Sequence, residues 1–505
     1  MTSNKELDMR YRILEQFDGL WKNCFGSLAG LGLLLPAFSG CGAQTAEPEK
    51  PLNIVFILSD DQAWNHVGYN GSTDFYETPN IDRIAKDGIY FSDAYSASPV
   101  CSPARASIMT GKNPARLHLT NYIPGGTWPY APIIGPQMQR FLSMDEHILP
   151  QYLKDAGYVS GHFGKWHLSP DRQFDDPGRY FEPQHRGFDE VLLNVKPEPD
   201  HDPYDDPHHV EAITRGSLHF IDQYKDEPFF LYVSHHVVHR PLIEVPELIE
   251  KYESKPGAEL EKNNPIMGAM VERMDEGIGR ILDRLDEHGL TENTLVIFYS
   301  DNGGLEVLQA QDPLRGGKAM VFEGGIRVPL VIRWPGHIEP GTKSEVPVIS
   351  DDFVPTILDM VGIEADMSEM DGISLVPLLT GQGDFDREAL YWHYPHYHHH
   401  GYQPSGAIRQ GDYKLIEWYE ETLWGATNQV SLFNVREDIG ETNDLSRDMS
   451  ELAGEMRKKL HDWRMAVNAQ EMMRNPNYDP ERAYQRSEMS LQYTQGPGIR
   501  EFPLP

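Results

Sequence analysis

The chain has 505 residues, with 44 lysines and arginines against 77 aspartates and glutamates, so its formal net charge at pH 7 is −33. That charge excludes a general nucleic-acid binder, because such proteins need a basic surface to displace counterions from phosphates. Hydrophobic residues make up 39% of the chain, which is enough for a core at this length and excludes global disorder. Three cysteines are too few for a disulfide framework. An anionic ligand would therefore have to be held by a local cluster of positive groups.

The N-terminal residues have the pattern of a targeting segment. A polar, partly basic stretch precedes an apolar run of leucines and small residues over residues 24–39. The run is shorter than the roughly 20 apolar residues of a membrane span and fits a signal-peptide core. It ends in a Phe-Ser-Gly-Cys sequence at Cys41, which resembles a bacterial lipoprotein cleavage site; an ordinary signal peptide cleaved nearby is the alternative. We predict a lipoprotein signal peptide over residues 1–40, a linker over residues 41–50, and export to the periplasm or cell envelope with a lipid anchor on Cys41.

Uninterrupted apolar runs indicate buried strands. Four such runs are rich in β-branched and aromatic residues, over residues 53–58, 229–233, 295–299 and 328–332. Because strands of a sheet covered on both faces are apolar throughout, these runs favour a sheet with helices on each side. Methionines and aliphatic residues recur at helical spacing over residues 267–285, which predicts a core-facing helix. We predict an α/β domain over residues 51–383, built on a large doubly wound mixed sheet flanked by helices.

The next segment predicts a smaller C-terminal α+β subdomain over residues 384–470. Two short apolar segments flank Gln410-Gly411-Asp412, which is the pattern of a hairpin turn. A strand over residues 430–434 and a helix over residues 452–467 complete this unit. Residues 471–505 contain several prolines and no periodicity, so we predict an extended tail.

Polar residues follow two of the apolar runs at the point where each strand would end. The pairs are Asp60 with Asp61 and Asp301 with Asn302. In open α/β sheets, ligands bind outside the carboxyl ends of the strands. Four oxygen ligands without clustered cysteines suit a hard cation, calcium or magnesium. Turn and cap residues would explain either pair alone, whereas two similar pairs favour a metal site.

Cys101 lies at the predicted start of a helix. Pro103 stands where a helix would begin and Gly111 where it would end. The free N–H groups and the positive dipole end of a helix N-terminus favour an anion. Arg105 follows Cys101 by one helical turn and could reach the same point. The pattern predicts a nucleophile at an anion-binding helix end; a buried structural cysteine beside a surface arginine is the alternative.

The same segment carries a family signature. Cys-x-Pro-Ala-Arg from Cys101 to Arg105, followed by Thr-Gly at this spacing, resembles the signature of the type I sulfatases of the alkaline-phosphatase-like superfamily, in which the cysteine is oxidised to formylglycine. Further segments between residues 53 and 415 match that family in the same order: Thr78–Arg83, Gly164–Leu168, Ser300–Gly304, Gly316–Lys318 and Glu323–Pro329. The chain is similar to the exported bacterial carbohydrate sulfatases in this family.

The resemblance implies formylglycine in place of Cys101 and one calcium ion with a defined set of residues around it. The ligands would be Asp60, Asp61, Asp301, Asn302 and the modified Cys101. Arg105 would stabilise the aldehyde hydrate, and Lys165 and Lys318 would bind oxygens of the sulfate group. Modification of the cysteine further implies a partner, a formylglycine-generating or sulfatase-maturing enzyme.

Two histidines would move protons in such a reaction. His167 would take a proton when the sulfated hydrate collapses to the aldehyde. Because it lies two residues from Lys165, an extended chain would point both side chains to one face. A second histidine would donate a proton to the leaving oxygen, and the His-x-Pro pattern of the family selects His239. His235 and His236 are alternatives for this role, or structural histidines after a buried strand.

The implied activity is that of a sulfatase, a sulfuric ester hydrolase. A sulfate ester resists attack because its oxygens are negatively charged, and a cation with clustered lysine and arginine would neutralise them. One hydroxyl of the hydrated aldehyde would attack sulfur and the other would later expel sulfate. The predicted substrate is a sulfated carbohydrate, a glycosaminoglycan or algal polysaccharide fragment. The alternatives are a phosphodiesterase or phosphonate monoester hydrolase of the same fold, and a non-catalytic glycan-binding lipoprotein.

A tract rich in histidine and tyrosine runs from His393 to His400 at the start of the C-terminal subdomain. In the family this region borders the substrate cleft, so the tract could contact a sugar ring. A second metal site and a polar surface loop are the other interpretations. Arg186 and Arg409 could each contact a carboxylate or a second sulfate.

Overall fold

The computed structural model describes residues 50–170, 181–194, 196–400, 402–483 and 485–486. The predicted signal peptide, Cys41 and residues 487–505 of the predicted tail lie outside these ranges. The described strands are β1 (Asn53–Ser59), β2 (Ile89–Phe91), β3 (Ala94–Tyr95), β4 (Ile133–Ile134), β5 (Val159–Gly164), β6 (Glu190–Leu193), β7 (Phe229–Ser234), β8 (Thr294–Ser300), β9 (Leu330–Arg333), β10 (Thr342–Ser344), β11 (Val348–Ile349), β12 (Leu390–Tyr394), β13 (Ser405–Gln410), β14 (Tyr413–Trp418), β15 (Val430–Asn434) and β16 (Met473–Arg474).

The helices of the same ranges are α1 (Pro79–Lys86), α2 (Cys101–Thr110), α3 (Pro114–Leu117), α4 (Leu149–Asp155), α5 (Val210–Tyr224), α6 (Pro246–Glu253), α7 (Pro265–Glu287), α8 (Glu323–Ile326), α9 (Phe353–Met360), α10 (Val376–Thr380), α11 (Tyr419–Trp424) and α12 (Ser450–Ala466). None of these helices has the combination of length and apolar character that a membrane span requires.

A mixed sheet of eight strands forms the centre of the α/β domain, in the order β10-β2-β9-β8-β1-β7-β5-β6. Strands β8, β1, β7, β5 and β6 are parallel, and β9 is antiparallel to both of its neighbours. The predicted mixed α/β sheet is therefore confirmed. The uninterrupted apolar sequences of the central strands are explained by their position, because helices cover both faces of the sheet.

Alternate residues of β1 enter two separate cores. Ile54 and Phe56 pack on one face with residues of α2, α4 and α9, whereas Val55 and Ile57 pack on the other with residues of α1, α5 and α7. All four side chains are fully buried. The predicted methionine and aliphatic stripe belongs to α7, which begins after Asn264, whose side chain accepts hydrogen bonds from the first turn.

The C-terminal subdomain is an antiparallel sheet in the order β12-β13-β14-β15, covered on one face by α12. The predicted hairpin joins β13 to β14 and turns at Gly411, whose φ of 57° suits glycine. The opposite face of this sheet packs on side chains of the α/β domain that include Val100, directly before α2. Beyond α12, β16 pairs with β4, so the beginning of the predicted tail is attached to the body.

Candidate active site

Two neighbouring parallel strands bring three acidic residues together. Strands β1 and β8 are paired up to Ser59 and Ser300, so Asp60 and Asp301 both lie immediately beyond the paired residues. The Asp301 amide donates to the Ser59 carbonyl at 3.1 Å. Asp61 has a positive φ of 60°, and its amide donates to the Asp301 carboxylate at 3.1 Å. Strand pairing over residues 240 positions apart therefore places these carboxylates at one edge of the sheet.

The next two parallel strands add a lysine and a histidine-containing segment. Strands β5 and β7 are paired up to Gly164 and Ser234, and the Lys165 amide continues the pattern by donating to the Ser234 carbonyl at 2.8 Å. The chain after β7 returns to β1, where the Asp60 amide donates to the Val237 carbonyl at 2.8 Å. Four strands therefore deliver their following residues to the same place.

Cys101 is the first residue of α2, two positions before the start that Pro103 predicts, because the first hydrogen bond of the helix runs from the Ala104 amide to the Val100 carbonyl. Its sulfur lies 3.4 Å from Asp60 Oδ1 and 3.8 Å from Asp61 Oδ1. Burial raises the pKa of this thiol to about 12, although nearby lysines partly oppose the shift. The unmodified side chain is therefore a neutral thiol at pH 7 and a weak nucleophile.

Arg105 is buried and pairs with Asp301, so it is not a surface arginine. Its Nε lies 2.8 Å from Asp301 Oδ2, and its Nη1 donates to both Ser234 Oγ at 2.7 Å and the Lys165 carbonyl at 3.0 Å. The guanidinium thus neutralises Asp301 and joins α2 to three strands. Ser234 has no distinguishing signal in the sequence, because a serine at the end of a buried strand is common.

The donor atoms of the strand ends fit a divalent cation. Ligand atoms of Asp60, Asp61, Cys101 and Asp301 all lie within 4.8 Å of one another, and the four residues are buried. Asn302 donates to Asp61 Oδ1 at 2.8 Å, while its own buried Oδ1 has no hydrogen-bond partner. Converging carboxylates with an unsatisfied amide oxygen are the donor set that hard cations prefer.

Two buried lysines each pair with a different one of these carboxylates. Lys165 Nζ lies 2.5 Å from Asp60 Oδ2, and Lys318 Nζ lies 2.6 Å from Asp61 Oδ1. Burial alone would raise the pKa of Asp60, but the positive charges around it hold that pKa well below its usual value. Burial and the adjacent Asp60 raise the pKa of Asp301 to about 7. The site therefore combines dense negative charge with fixed positive charge.

A close approach of backbone segments positions Lys318. The Lys318 amide donates to the Gly304 carbonyl at 2.7 Å, and the Ala319 amide donates to the Pro99 carbonyl at 2.8 Å. A Cβ atom at Gly317 would lie 2.6 Å from the Gly304 carbonyl oxygen, so only glycine fits there. Lys318 Nζ also lies 3.3 Å from the Cys101 sulfur.

The expected extended geometry around His167 is wrong. Strand β5 ends at Gly164, and His167 has a φ of 59°, because its ring turns to hydrogen bond with the Ile123 carbonyl at 2.8 Å. Its Nδ1 is buried without a hydrogen-bond partner. Burial and the charge of Lys165 hold its pKa well below 6.5, so the ring is neutral at pH 7.

The three candidate histidines after β7 occupy different environments. His239 Nε2 lies 3.9 Å from Asp61 Oδ2, and His236 Nδ1 lies 3.9 Å from Asp60 Oδ2. His235 is fully buried, and neither of its ring nitrogens has a partner among the described residues. Burial lowers the pKa of all three imidazoles. His239 and His236 therefore border the carboxylates, whereas His235 belongs to the interior.

The histidine-rich tract divides into two parts. His393 contacts Tyr419 Oη at 2.7 Å and His396 contacts Thr120 Oγ1 at 2.7 Å, so both are interior groups. The interpretation of these two residues as sugar contacts is wrong, because their ring nitrogens bond within the protein. The histidine triad, His398 to His400, forms a separate group whose ligand atoms lie within 4.8 Å of one another.

Arg186 and Arg409 are also interior groups and not ligand contacts. Arg186 is fully buried and donates to the backbone carbonyls of Leu142 and Glu146. Arg409 lies 2.7 Å from Asp93 beneath the C-terminal sheet. Their guanidinium groups are used in packing, which sequence position alone did not reveal.

Comparison with known proteins places this arrangement in a family. The sulfatase family pattern matches residues 52–363, and the pattern for the C-terminal part of N-sulphoglucosamine sulphohydrolase matches residues 317–466. A sulfatase of Formosa agariphila is 30% identical over 88% of this chain and 94% of its own length. Human N-acetylgalactosamine-6-sulfatase is 32% identical over 70% of each chain.

A solved structure gives the same result. The crystal structure of Ps i-CgsB matches with a TM-score of 0.70 and 28% identity over 85% of this chain and 95% of that one. The same protein has also been solved in complex with k-i-k-neocarrahexaose. The matched family pattern spans more than half of the chain and includes every residue of the strand-end site. The chain therefore belongs to the sulfatase family and is a sulfuric ester hydrolase.

Proposed function

We propose that this protein is an exported carbohydrate sulfatase whose nucleophile is formylglycine made from Cys101 and whose metal is one calcium ion. The observation that carries this proposal is the convergence of Asp60, Asp61, Cys101 and Asp301 within 4.8 Å at the ends of parallel strands. Asn302 completes the oxygen donors. When bound, the divalent cation would supply positive charge to the sulfate oxygens and to the nucleophile.

The lysines of the site are suited to hold the sulfate group. Lys165 and Lys318 present their ammonium groups to the carboxylates from two sides, so a sulfate between them would meet positive charge on each side. Arg105 holds Asp301 in place and compensates its charge. The cationic groups are local, which explains how a strongly acidic protein would bind an anionic ester.

Two histidines are suited to proton transfer. His239 borders Asp61 at 3.9 Å and would donate to the leaving oxygen, with His236 beside Asp60 as the second candidate. A bound sulfate ester brings negative charge next to His239 and favours its protonated form. His167 would accept a proton through Nδ1, the ring nitrogen that has no partner within the described residues.

The relatives support a sulfated carbohydrate as substrate. They include N-acetylgalactosamine-6-sulfatase, and one neighbour of similar fold has been solved in complex with k-i-k-neocarrahexaose. A glycosaminoglycan or an algal polysaccharide fragment fits both. A phosphonate monoester hydrolase also shares the fold, with a TM-score of 0.61 at 19% identity, but that likeness concerns the fold alone.

We extend the proposal to the organisation of the chain. Residues 51–383 would form the catalytic domain, residues 384–470 the α+β subdomain and residues 471–505 a tail. A signal peptide over residues 1–40 would direct export, and acylated Cys41 would anchor the protein to the envelope through a linker. A Cys41→Ala variant expressed in the native host should move from the membrane fraction to the soluble fraction. An unchanged distribution would contradict the anchor.

The mass of the tryptic peptide from Asp87 to Arg105 tests the nucleophile. Protein from the native host should show the deficit expected for replacement of the thiol group by an aldehyde oxygen. Recovery of only the unmodified peptide would contradict the proposed mechanism. Release of sulfate from a sulfated sugar, with no release of phosphonate from a matched monoester, separates the sulfatase from the phosphonate hydrolase.

A further inference from the structure

Two basic side chains border the histidines of the site and are not used by the proposed reaction. Arg240 directly follows His239, whose ring lies 3.9 Å from Asp61. Lys196 follows Asn194 by two positions, and the Asn194 carbonyl lies 3.5 Å from His236 Nε2. Both residues therefore belong to the segments that surround the carboxylates.

These two cations differ from Arg105, Lys165 and Lys318, which each contact a carboxylate of the site directly. Within the described residues, neither the Arg240 guanidinium nor the Lys196 ammonium makes an ion pair or a side-chain hydrogen bond. Lys196 is an exposed residue, and partial desolvation together with the charges of Lys165, Lys318 and Arg240 lowers its pKa against the opposing charge of Glu198. Burial also lowers the pKa of Arg240, against the opposing charge of Asp61. Positive charge is thus concentrated there, and Glu198 and Asp61 oppose it without direct contact.

The charge of Arg240 also acts on the histidine triad. The ring centroids of His398, His399 and His400 lie 4.1, 4.2 and 4.8 Å apart in pairs, and the Tyr122 ring lies 5.4 Å from that of His398. Burial and then the charges of Arg240 and Lys318 lower the pKa of His400 to about 3. Its ring is therefore neutral at pH 7 and can donate a hydrogen bond.

The same charges decide what kind of ligand this region suits. Three neutral imidazoles could bind a transition metal if they were isolated. Here the charges of Arg240, Lys318 and Arg486 act on His400 and outnumber the opposing charge of Asp61, so they oppose an added divalent cation and attract an anion. A guanidinium presents paired donors to a sulfate or carboxylate, and such charge-assisted bonds are the strong ones.

We propose that Arg240 and Lys196, with N–H donors of the histidine triad, bind a second acidic group of the sugar substrate, a sulfate or a carboxylate. This inference rests on the proposed carbohydrate sulfatase function and narrows its substrate to sugars with at least two acidic groups. The group that is cleaved lies between Lys165 and Lys318. The second group remains uncleaved and positions the sugar ring.

Kinetics of the matured full-length enzyme on three substrate pairs test this proposal. The pairs are N-acetylgalactosamine 6-sulfate with its 4,6-disulfate, glucosamine 6-O-sulfate with its 2-N,6-O-disulfate, and N-acetylgalactosamine 6-sulfate with its glucuronate-linked disaccharide. We expect kcat/KM to favour the member with the second acidic group in at least one pair, by about tenfold or more. The first two pairs report a second sulfate and the third a carboxylate.

Substitutions then identify the residues responsible. Arg240→Gln and Lys196→Gln should each reduce the preference, and the double variant should abolish it, mainly by raising KM. Arg215→Gln, which alters an exposed arginine of α5 paired with Glu211, is the matched control and should leave the preference unchanged. Because the interaction is ionic, the preference should also shrink as salt concentration rises.

A binding measurement gives a readout independent of turnover. In a Cys101→Ala background, calorimetry should show weaker binding of the preferred probe after Arg240→Gln. Absence of any preference in all three pairs, or a preference that survives the double substitution, would overturn the inference. Binding that requires Zn²⁺ and is lost on His399→Ala would replace it with a metal site. Failure of the matured wild-type enzyme to release sulfate from any probe or from a simple aryl sulfate would instead overturn the proposed function.

Discussion

Two buried clusters in this protein contain the same number of charged side chains but arrange them differently. The strand-end cluster contains Asp60, Asp61 and Asp301 with Arg105, Lys165 and Lys318. The buried ion network beneath the C-terminal sheet contains Asp93, Glu323 and Glu441 with Arg327, Arg409 and Lys414. Each has three acidic and three basic side chains, all at most 7% exposed. Charge balance therefore does not distinguish a reactive site from a structural one.

The placement of like charges does distinguish them. In the buried ion network, Lys414 Nζ lies 2.9 Å from both Glu323 and Glu441, and the two oxygens of Asp93 each face a different arginine. In the strand-end cluster, carboxylate oxygens and a thiol converge within 4.8 Å of one another. Like charges held together cost stability unless a ligand compensates them, so their convergence marks the site that is built for a ligand.

The largest expected effect separates the two clusters by activity. Cys101→Ala should lower kcat/KM for an aryl sulfate by at least about 10³-fold, because the nucleophile is lost. The melting temperature should change little, since the thiol makes only long contacts with the carboxylates. A variant that retains activity would show that this cysteine is not the nucleophile; a variant that does not fold would show a structural role.

In the buried ion network we expect a substitution to lower stability and to leave activity nearly unchanged. Lys414→Met should lower the free energy of unfolding by about 3–5 kcal/mol, because it removes the cation that contacts both Glu323 and Glu441, and Glu441 then has no ion-pair partner among the described residues. The kcat/KM of the folded fraction should remain near the wild-type value. Lys459→Met, which removes an exposed pair with Glu388, is the control and should cost at most about 1 kcal/mol. Equal effects of the two substitutions in denaturant titrations would contradict the comparison.

Metal titration should affect only the strand-end cluster. Added Ca²⁺ should raise the melting temperature of chelator-treated protein, by a free energy of about 2.7 kcal/mol at a concentration one hundred times the dissociation constant. Asn302→Ala should reduce this stabilisation, because it removes a buried oxygen donor. Lys414→Met should retain the full Ca²⁺-dependent increase. Stabilisation that persists after Asn302→Ala would place the ion elsewhere.

The smallest expected effect concerns an uncharged neighbour of the strand-end cluster. Burial, and secondarily the charge of Arg105, lower the pKa of His162 to about 3. In the unfolded chain the histidine pKa is near 6.5. As pH falls from about 6.5 to 3, His162 therefore binds a proton in the unfolded chain but stays neutral in the folded chain. His162 therefore costs stability across this window, by at most about 1.4 kcal/mol per pH unit.

His162→Phe should make the free energy of unfolding less dependent on pH between pH 6 and pH 4. The number of protons taken up on unfolding in this range should fall by about one. At pH 7 we expect little loss of stability, because neither buried ring nitrogen of His162 has a hydrogen-bond partner of good geometry within the described residues. His461→Asn on the exposed side of α12 is the matched control and should leave the slope unchanged. An unchanged slope for His162→Phe in denaturant titrations would contradict the assigned pKa.

The sequence by itself determined the features that depend on local pattern. Apolar runs predicted the central strands and their coverage by helices, and the acids at the ends of two runs lie together because those strands are adjacent. Cys101 at a helix start followed from Pro103 and Gly111 to within two residues. The spacing of these residues is also what carries the family signature.

Only the tertiary structure decided what depends on contacts between distant segments. His167 bonds to Ile123 and leaves the extended conformation, His239 and His236 reach the carboxylates while His235 does not, and Arg409 pairs with Asp93 in the interior. No sequence pattern indicates either that Arg240 makes no ion pair within the described residues. Local periodicity reports which face of a strand or helix is apolar, whereas the partner of a polar side chain depends on residues hundreds of positions away that packing brings beside it.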